Sequence, residues 1–573
     1  MILQALTQLF EDLVERGEID RPGWSKAKIS FALCLDEEGN LTQVIPQQQE
    51  ELRKNKQILV PLRMRLPSEV KRTVDVRPNF LWDNSSYLLG IDGKGKPERS
   101  LICFQKSREH HHQLLDGVST PQARAILRFF DTWRPEQAEH HPALADCLED
   151  IRKGGNLVFR PCGMFPQNDK KIAEAWDAHY EHTEGEKSQC LVTGKLDVIE
   201  TVHPSIKGVQ GAQSSGAAVV SFNAPAFCSY GKEQSMNAPV GKYAAFAYTA
   251  ALNYLLADKK NVHMIGDTTV VCWAKGAEPE YNLYSNVFLF GDALPEALTT
   301  GELHSCIEKL SRGLPCHQIP LDMGREFYIL GLAPNAARLS VRFFYTGSFG
   351  QLMKNVALHY SRMEITGLNN ELMSLDRILK QTINENIKEQ KPSPVMSGAV
   401  ARAVFTGGMY PAALLENTIL RIRAEKRFSP GRAAIMKAYY LRNKNSLCPE
   451  EVLTVSLNEN STNIPYTLGR IFAVYEVVQE VANPGINTTI MDKYFNSASA
   501  TPAMIFPILD NLCQKHLRKL QPKRACYYDK LISSLKSILS ESYPGRLSLP
   551  EQGSFNIGYY HQKAACYTKK EEQ

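Results

Sequence analysis

From Gly208 to Leu256 the chain is dominated by glycine, alanine and serine, and this scarcity of bulky side chains limits what the segment can become. Such a segment buries little apolar area per residue. It suits a loop that lets another molecule approach the backbone better than the filling of a core. Gln213, Ser214, Ser215 and Asn223 offer neutral donors and acceptors there with almost no charge among them. That chemistry fits polar edges better than metals. Towards Ala244–Leu256 the segment turns into an apolar helix.

At 573 residues the chain exceeds the size at which a single core stops growing, so two or three domains are expected. The formal charge of +5 is the remainder of 66 basic and 61 acidic residues. Overall charge therefore says little about nucleic acid, and local arrangement decides. Glu11 and Asp12 follow a short apolar stretch with no basic leader, which predicts an amphipathic helix and not a signal peptide. No stretch is long and apolar enough to cross a bilayer, so no membrane partner is expected. Thirteen cysteines scattered without metal-binding spacing fit free thiols in a reducing cytoplasm, and no cofactor is expected.

The organisation reads as α+β. Between Lys28 and Val74, short apolar alternations such as Ile58–Arg65 predict strands broken by polar turns. Gly90, Asp92, Gly93, Lys94, Gly95 and Lys96 predict a hairpin or loop bearing exposed lysines. Glu109–Arg152 reads as helical, Asn156–Phe159 as a strand and Asp177–Glu186 as polar and exposed. A polar break at Glu389–Pro394 separates an expected mixed α/β body, residues 1–390, from an expected helical domain, residues 391–573. In the latter, Ile505, Ile508, Leu509 and Leu512 share one helical face, as do Leu531, Leu535, Ile538 and Leu539. An antiparallel bundle is the natural packing.

Between Arg421 and Lys444 lie Arg421, Arg423, Lys426, Arg427, Arg432, Lys437, Arg442 and Lys444, with Glu425 as the sole acid among them. A solvated helix face normally mixes both signs. Lys515, Arg518, Lys519, Lys523 and Arg524 form a second cluster largely off the apolar stripe. Two such faces point to phosphate neutralisation with counterion release, which holds a single strand regardless of sequence. Tyr439, Tyr440, Tyr527 and Tyr528 are candidates to stack bases, although core tyrosines are the commoner case. Nearer the N-terminus, Lys71, Arg72, Arg77, Lys94 and Lys96 surround Asn84. There the lysines would hold phosphates while Asn84 reads a base edge, against the plain alternative that Asn84 closes a turn.

His110-His111-His112 and the pair His179 and His182 raise a metal reading, with Cys190 and His203 downstream. Zinc needs converging ligands with a third and fourth nearby, and only His179 with His182 meets the first condition. There is no HExxH, no GxSxG and no glycine frame before Gly194-Lys195 to make a phosphate loop. Neither Cys162 nor Cys190 carries a pattern marking a nucleophile. No catalytic or metal site is expected.

Several segments together carry a family likeness. They are Met1–Leu6, Pro78–Asn84, Ser221-Phe222-Asn223, Ser229-Tyr230-Gly231-Lys232, Asn237-Ala238-Pro239, Leu468–Ala473, Asp492–Pro507 and Gly558–Gln562. In this order and over this length the chain resembles the large subunit of the type I-C CRISPR surveillance complex Cascade, the Csd family. The resemblance implies a non-catalytic subunit that recognises a short flanking motif, the PAM, in double-stranded DNA and promotes R-loop formation. Its implied partners are CRISPR RNA, double-stranded target DNA with its displaced strand, the backbone and RNA-processing subunits, and a recruited helicase-nuclease. It also implies a small helical subunit made from an internal start, for which Met436 is best placed. Loops of this family that read or wedge the duplex suggest roles for Gln213, Ser214, Ser215, Asn223 and Lys232. Two rival readings are a metal-dependent nuclease using His179, His182 and acidic partners, and a purely architectural scaffold.

Overall fold

The computed structural model describes residues 1–53, 56–70, 76–91, 96–181, 185–222, 224–292, 300–314, 321–369, 371–384, 387, 390–539 and 542–571. Contacts divide the chain into two compact units, Leu3–Pro204 with Ser221–Ala251, and Ser205–Val220 with Leu252–Gln573. The α+β expectation holds, with small sheets early in the chain and helices towards its end.

The first unit holds β1 (Trp24–Ile29), β2 (Phe31–Leu35), β3 (Leu41–Pro46), β4 (Gln48–Arg53), β5 (Lys56–Pro67), β6 (Trp82–Asn84), β7 (Asn156–Pro161), β8 (Lys187–Gln189) and β9 (Leu196–Val198). An antiparallel ribbon has the order β1-β5-β4, and a four-stranded sheet the order β3-β2-β7-β6. In the latter β2 and β7 run parallel, from Phe31 opposite Leu157 to Leu35 opposite Pro161. Leu157-Val158-Phe159 is a continuous apolar run, as expected of a strand covered on both faces. Successive side chains alternate. Leu157 and Phe159 thus join Phe129 and Phe130 of the helix Pro121–Thr132, while Val158 joins Ala27, Ile29, Leu66 and Trp82. That helix starts where its sequence dictates: Thr120 Oγ1 accepts from the Ala123 N–H at 3.2 Å, and Pro121 occupies the first turn.

Among the described residues, the second unit has an antiparallel sheet in the order β10 (Val262–Ile265), β11 (Thr268–Ala274), β12 (Glu326–Asn335), β13 (Arg338–Ser348). Its core takes Val270, Cys272, Phe327, Ile329 and Phe343 from the sheet and Phe349, Met353 and Val356 from the helix Phe349–Met363. Pro392-Ser393-Pro394 opens the helix Pro394–Thr406, and Val400 and Phe405 of that helix enter the same core.

Among the described residues, the later helices of this unit are α1 (Ala412–Glu425), α2 (Pro430–Arg442), α3 (Ile464–Ala482), α4 (Ile490–Ala500), α5 (Pro502–Leu517), α6 (Pro522–Lys536) and α7 (Leu549–Glu571). Every residue of α3 from Pro465 to Val478 is buried. A helix buried on every side must be surrounded, and its charged members Arg470 and Glu476 are hydrogen-bonded inside, to Gln562 and Tyr559. The expected antiparallel order holds for some neighbours: α3 meets α4 through Phe472 with Phe495 and Glu476 with Thr489, running opposite ways. It is corrected for others. Contacts of α3 with α7 advance together, from Tyr466 and His561 to Glu480 and Tyr567, and those with α5 do so from Tyr475 and Asp510 to Asn483 and His516. Short loops make sequence neighbours antiparallel, but the partners that close the ring round α3 arrive later in the chain. The buried stripe of α5 is also rotated from expectation, using Phe506, Leu509, Cys513 and Leu517 and leaving Ile508 exposed.

Among the described residues no helix is long and apolar enough to cross a membrane. The expectation of uniformly free thiols needs one correction, since among the described residues eleven cysteines are free but Cys306 is disulfide-bonded. Linear spacing does not reveal which thiols meet in space.

Candidate nucleic-acid interface

In the glycine-rich segment, Ile206 and Ala217 exchange two backbone hydrogen bonds of 2.9 Å and pinch off a turn between them. Gly216 closes it at a φ of +96°, its N–H reaching the Gln213 carbonyl at 2.9 Å. A side chain at Gly216 would strike Ser205 and the Ile206 backbone, so glycine is required. The outcome is exposure of Gln213, Ser214 and Ser215, none of whose side chains has a hydrogen-bond partner among the described residues.

In the first unit, Ser229–Asn237 forms a second loop, tied by one amide. Asn237 Oδ1 accepts from the Ser229 N–H at 2.9 Å, and its Nδ2 donates to the carbonyls of Lys232 and Gln234 at 3.1 and 2.9 Å. Lys232 is exposed, and Tyr230, at a φ of +56°, is 97% exposed. An aromatic ring this bare at a braced tip is a candidate stacking surface that the sequence motifs alone did not single out. Its signal was the Tyr230-Gly231 turn dipeptide.

Asn84 ends β6 and caps the short helix Ser85–Leu88, its Oδ1 accepting from the Ser86 N–H at 3.0 Å. Its acceptor is thus engaged in closing the turn. The preceding residues are core. Phe80 stacks on Trp176 with centroids 5.5 Å apart, Trp82 Nε1 donates to the Pro67 carbonyl at 2.8 Å, and buried Asp83 accepts from the Asn79 and Asn84 N–H groups. Lys96 stands exposed at the start of the helix Pro97–Leu115. Lys71, Arg72, Lys94 and Asn223 lie outside the described residues.

The histidine triple scatters into three environments. His111 is buried, its Nδ1–H donating to the Ser107 carbonyl at 2.7 Å and its Nε2 accepting from the Leu81 N–H at 3.0 Å, which fixes a neutral tautomer. Burial pushes it down to about 3, and burial with neighbouring His179 brings His110 to about 4. His112 instead meets Asp116 and Asp131 at the surface. His182 lies outside the described residues, among which no cluster of His, Cys, Asp and Glu is placed to hold a metal.

The first basic run separates by depth. Arg423, Lys426 and Arg427 are exposed around the end of α1, where Lys426 takes the left-handed C-cap conformation at a φ of +52°. Arg423 donates to Gln552 Oε1 at 3.2 Å, and half-buried Arg421 pairs with Glu425 at 3.7 Å. Arg432 and Lys437 point inward, which corrects the picture of one continuous basic face. Arg432 binds Glu425 and the Arg427 carbonyl, and Lys437 Nζ donates to the Arg362 carbonyl at 3.0 Å. Burial lowers the Lys437 ammonium to about 8. Arg442 donates to the Gly408 carbonyl at 3.0 Å, and Lys444 pairs with Glu450 at 3.1 Å.

The second cluster stays on the surface. Lys515, Arg518, Lys523 and Arg524 are exposed with no carboxylate in ion-pairing range among the described residues, while Lys519 donates to Asn483 Oδ1 at 3.0 Å. Lys515 suits the C-terminal turn of α5, but Lys523 and Arg524 occupy the first turn of α6, where the helix dipole repels cations. Helix stability does not account for them. Of the four tyrosines, Tyr440 and Tyr528 are buried and Tyr439 half-buried, whereas Tyr527 is 52% exposed one turn beyond Arg524.

A search of curated proteins finds no match to this sequence. A family model described as CRISPR-associated protein (Cas_Csd1) matches residues 6–567, nearly the whole chain and every described segment of the candidate interface. The chain therefore belongs to the Cas_Csd1 family of CRISPR-associated proteins, the family its sequence motifs resemble.

Proposed function

We propose that this protein is the non-catalytic large subunit of a cytoplasmic type I-C interference complex. It recognises the PAM in double-stranded DNA, promotes R-loop formation and retains the displaced strand. Guide RNA supplies sequence specificity by base pairing, and a recruited helicase-nuclease does the cutting. The supporting observation is the contrast between two kinds of exposed surface: the turn Gln213–Ser215, whose side chains have no hydrogen-bond partner among the described residues, and the cations Lys515, Arg518, Lys523 and Arg524, which have no carboxylate in range among them. Neutral amides and hydroxyls can discriminate bases, whereas unpaired cations hold phosphates of any sequence. Its further partners are backbone and RNA-processing subunits and a small subunit translated from Met436, which would begin inside α2.

The test assembles the complex around a Gln213→Ala variant and challenges it with a library of flanking sequences. The reading expects an altered ranking of flanks with retained single-strand affinity. An identical ranking removes the turn from the site, and cleavage of DNA by the purified chain alone overturns the non-catalytic assignment.

A further inference from the structure

The register of the β1–β5 ribbon sets like charges directly opposite one another, Lys26 across from Arg65 and Lys28 across from Arg63. All four are exposed. The other face of the same strands is apolar, with Ala27, Ile29 and Leu66 buried against Trp82 and Val158. The strand period thus fixes the four cations on the solvent side. Arg65 is partly balanced by Asp20 at 3.1 Å, but among the described residues no carboxylate lies in ion-pairing range of Lys26, Lys28 or Arg63. Exposed Glu50 of β4 lies opposite Leu59, beyond the β1 pairing.

Opposed like charges destabilise a sheet, so folding does not account for Lys26, Lys28 and Arg63 on one face. Neighbouring strands are about 4.8 Å apart and alternate residues on one strand about 6.7 Å apart, a grid on the scale of successive backbone phosphates. Among the described residues of β1 and β5 there is also no bare aromatic ring. Trp24, their aromatic member, is buried, with Arg21 and Arg65 lying over the ring and its Nε1 donating to Asp177 at 2.7 Å. Surfaces for unpaired strands interleave cations with exposed rings on which bases stack. A cationic face without rings suits a backbone whose bases are already stacked in a duplex.

We propose that the solvent face of the β1–β5 ribbon is a phosphate-binding surface for duplex DNA, with Lys26, Lys28 and Arg63 as its anchors. It rests on the reading of the chain as a DNA-engaging CRISPR subunit, and adds a surface that acts whatever bases border the target. The test uses the full-length protein with Lys28→Gln and Arg63→Gln together, and titrates it against a mixed-sequence DNA duplex, one of its strands alone and a repeat-derived RNA. The slope of log affinity against log salt should become shallower by about 1.8 for the duplex, ~0.9 for each phosphate left without its cation. It should not change for the single strand or the RNA, and the ranking of flanking sequences should not change either. Thermal stability should hold or rise, because a repulsive pair has been removed. The exchanged variant, Lys28→Arg with Arg63→Lys, should bind as the unaltered protein does. An unchanged duplex slope, a loss confined to the strand or the RNA, or an equal loss in the exchanged variant overturns the ribbon assignment while leaving the flank-reading proposal standing. Conversely, a flat flank library with a shifted duplex slope sinks that proposal and keeps the ribbon.

Discussion

Gly469 and Gly558 bring α3 and α7 together backbone to backbone: a methyl group on Gly469 would overlap the Phe555 carbonyl, and one on Gly558 the Tyr466 carbonyl. The surrounding contacts are equally specific. Tyr466 Oη meets His561 Nδ1 at 3.0 Å, Arg470 Nε donates to Gln562 Oε1 at 3.0 Å, and Tyr559 Oη donates to Glu476 Oε2 at 2.7 Å. Two of the three C-terminal family-like motifs, Leu468–Ala473 and Gly558–Gln562, are thus the two sides of one interior crossing.

Gly469→Ala is therefore expected to destabilise the protein by roughly 1–3 kcal/mol, the usual cost of overpacking, because carbonyl oxygens of a helix cannot rotate aside. The sign is diagnostic, since at an open helical site the same change stabilises by up to about 1 kcal/mol. Chemical denaturation measures it, and an unchanged or raised midpoint would show that the helices can separate without loss.

Much of this fold was legible because the signals were periodic or continuous. The run Asn156–Phe159 announced a strand, and the alternation in Ile58–Arg65 announced β5. What was not legible depends on which way a helix faces. Lys437 and Arg423 look alike in a basic run, yet one lies against the Arg362 carbonyl and the other in water. Ile508 and Phe506 compete for one face of α5, and only packing around α3 selects Phe506. The pairs Lys26, Lys28 and Arg63, Arg65 are visible as alternating cations, but their opposition requires the strand register. Of the motifs that identified the family, Leu468–Ala473 and Gly558–Gln562 mark the interior, whereas Ser229-Tyr230-Gly231-Lys232 lies on an exposed loop, so recognising a motif did not tell core from surface.

Stability should fall in acid. His110, His111, His359 and His561 are held by burial at about 4, 3, 4 and 4, against 6.5 for the free side chain. Below 6.5 the unfolded chain takes up protons that the native state refuses. The stabilisation from these neutral rings is complete above that value and is lost as pH falls towards 4, at up to about 1.4 kcal/mol per pH unit per site. Denaturation midpoints measured from about pH 7 down to about pH 5 should fall steadily, and His111→Phe should make the dependence shallower. A midpoint independent of pH over that range would contradict the buried neutral assignment.

Tyr527 and Tyr528 should behave oppositely. Tyr527→Ala removes an exposed ring beside Arg524 and is expected to weaken binding of unpaired DNA by roughly 1–3 kcal/mol with little change in stability. Tyr528→Ala hollows the core around α6 and should lower the unfolding midpoint without a comparable loss of affinity per folded molecule. Equal single-strand affinity for Tyr527→Ala and the unaltered protein removes that ring from the strand path.

The depth sorting of the first basic run makes the last prediction. Arg423 and Lys426 are exposed and reach no carboxylate among the described residues, so reversing both to glutamate should reduce affinity for every unpaired strand alike. The salt slope should become shallower by about 0.7 for each phosphate that is no longer neutralised. Lys437 lies under the surface with its Nζ on a backbone carbonyl, so Lys437→Met takes no cation away from the strand. Its effect should instead appear in stability, as the balance between a missing hydrogen bond and a relieved burial of charge. Salt titrations of both variants against one labelled strand decide the matter. A slope change in Lys437→Met equal to that of the reversed pair would mean that α2 opens when the strand binds.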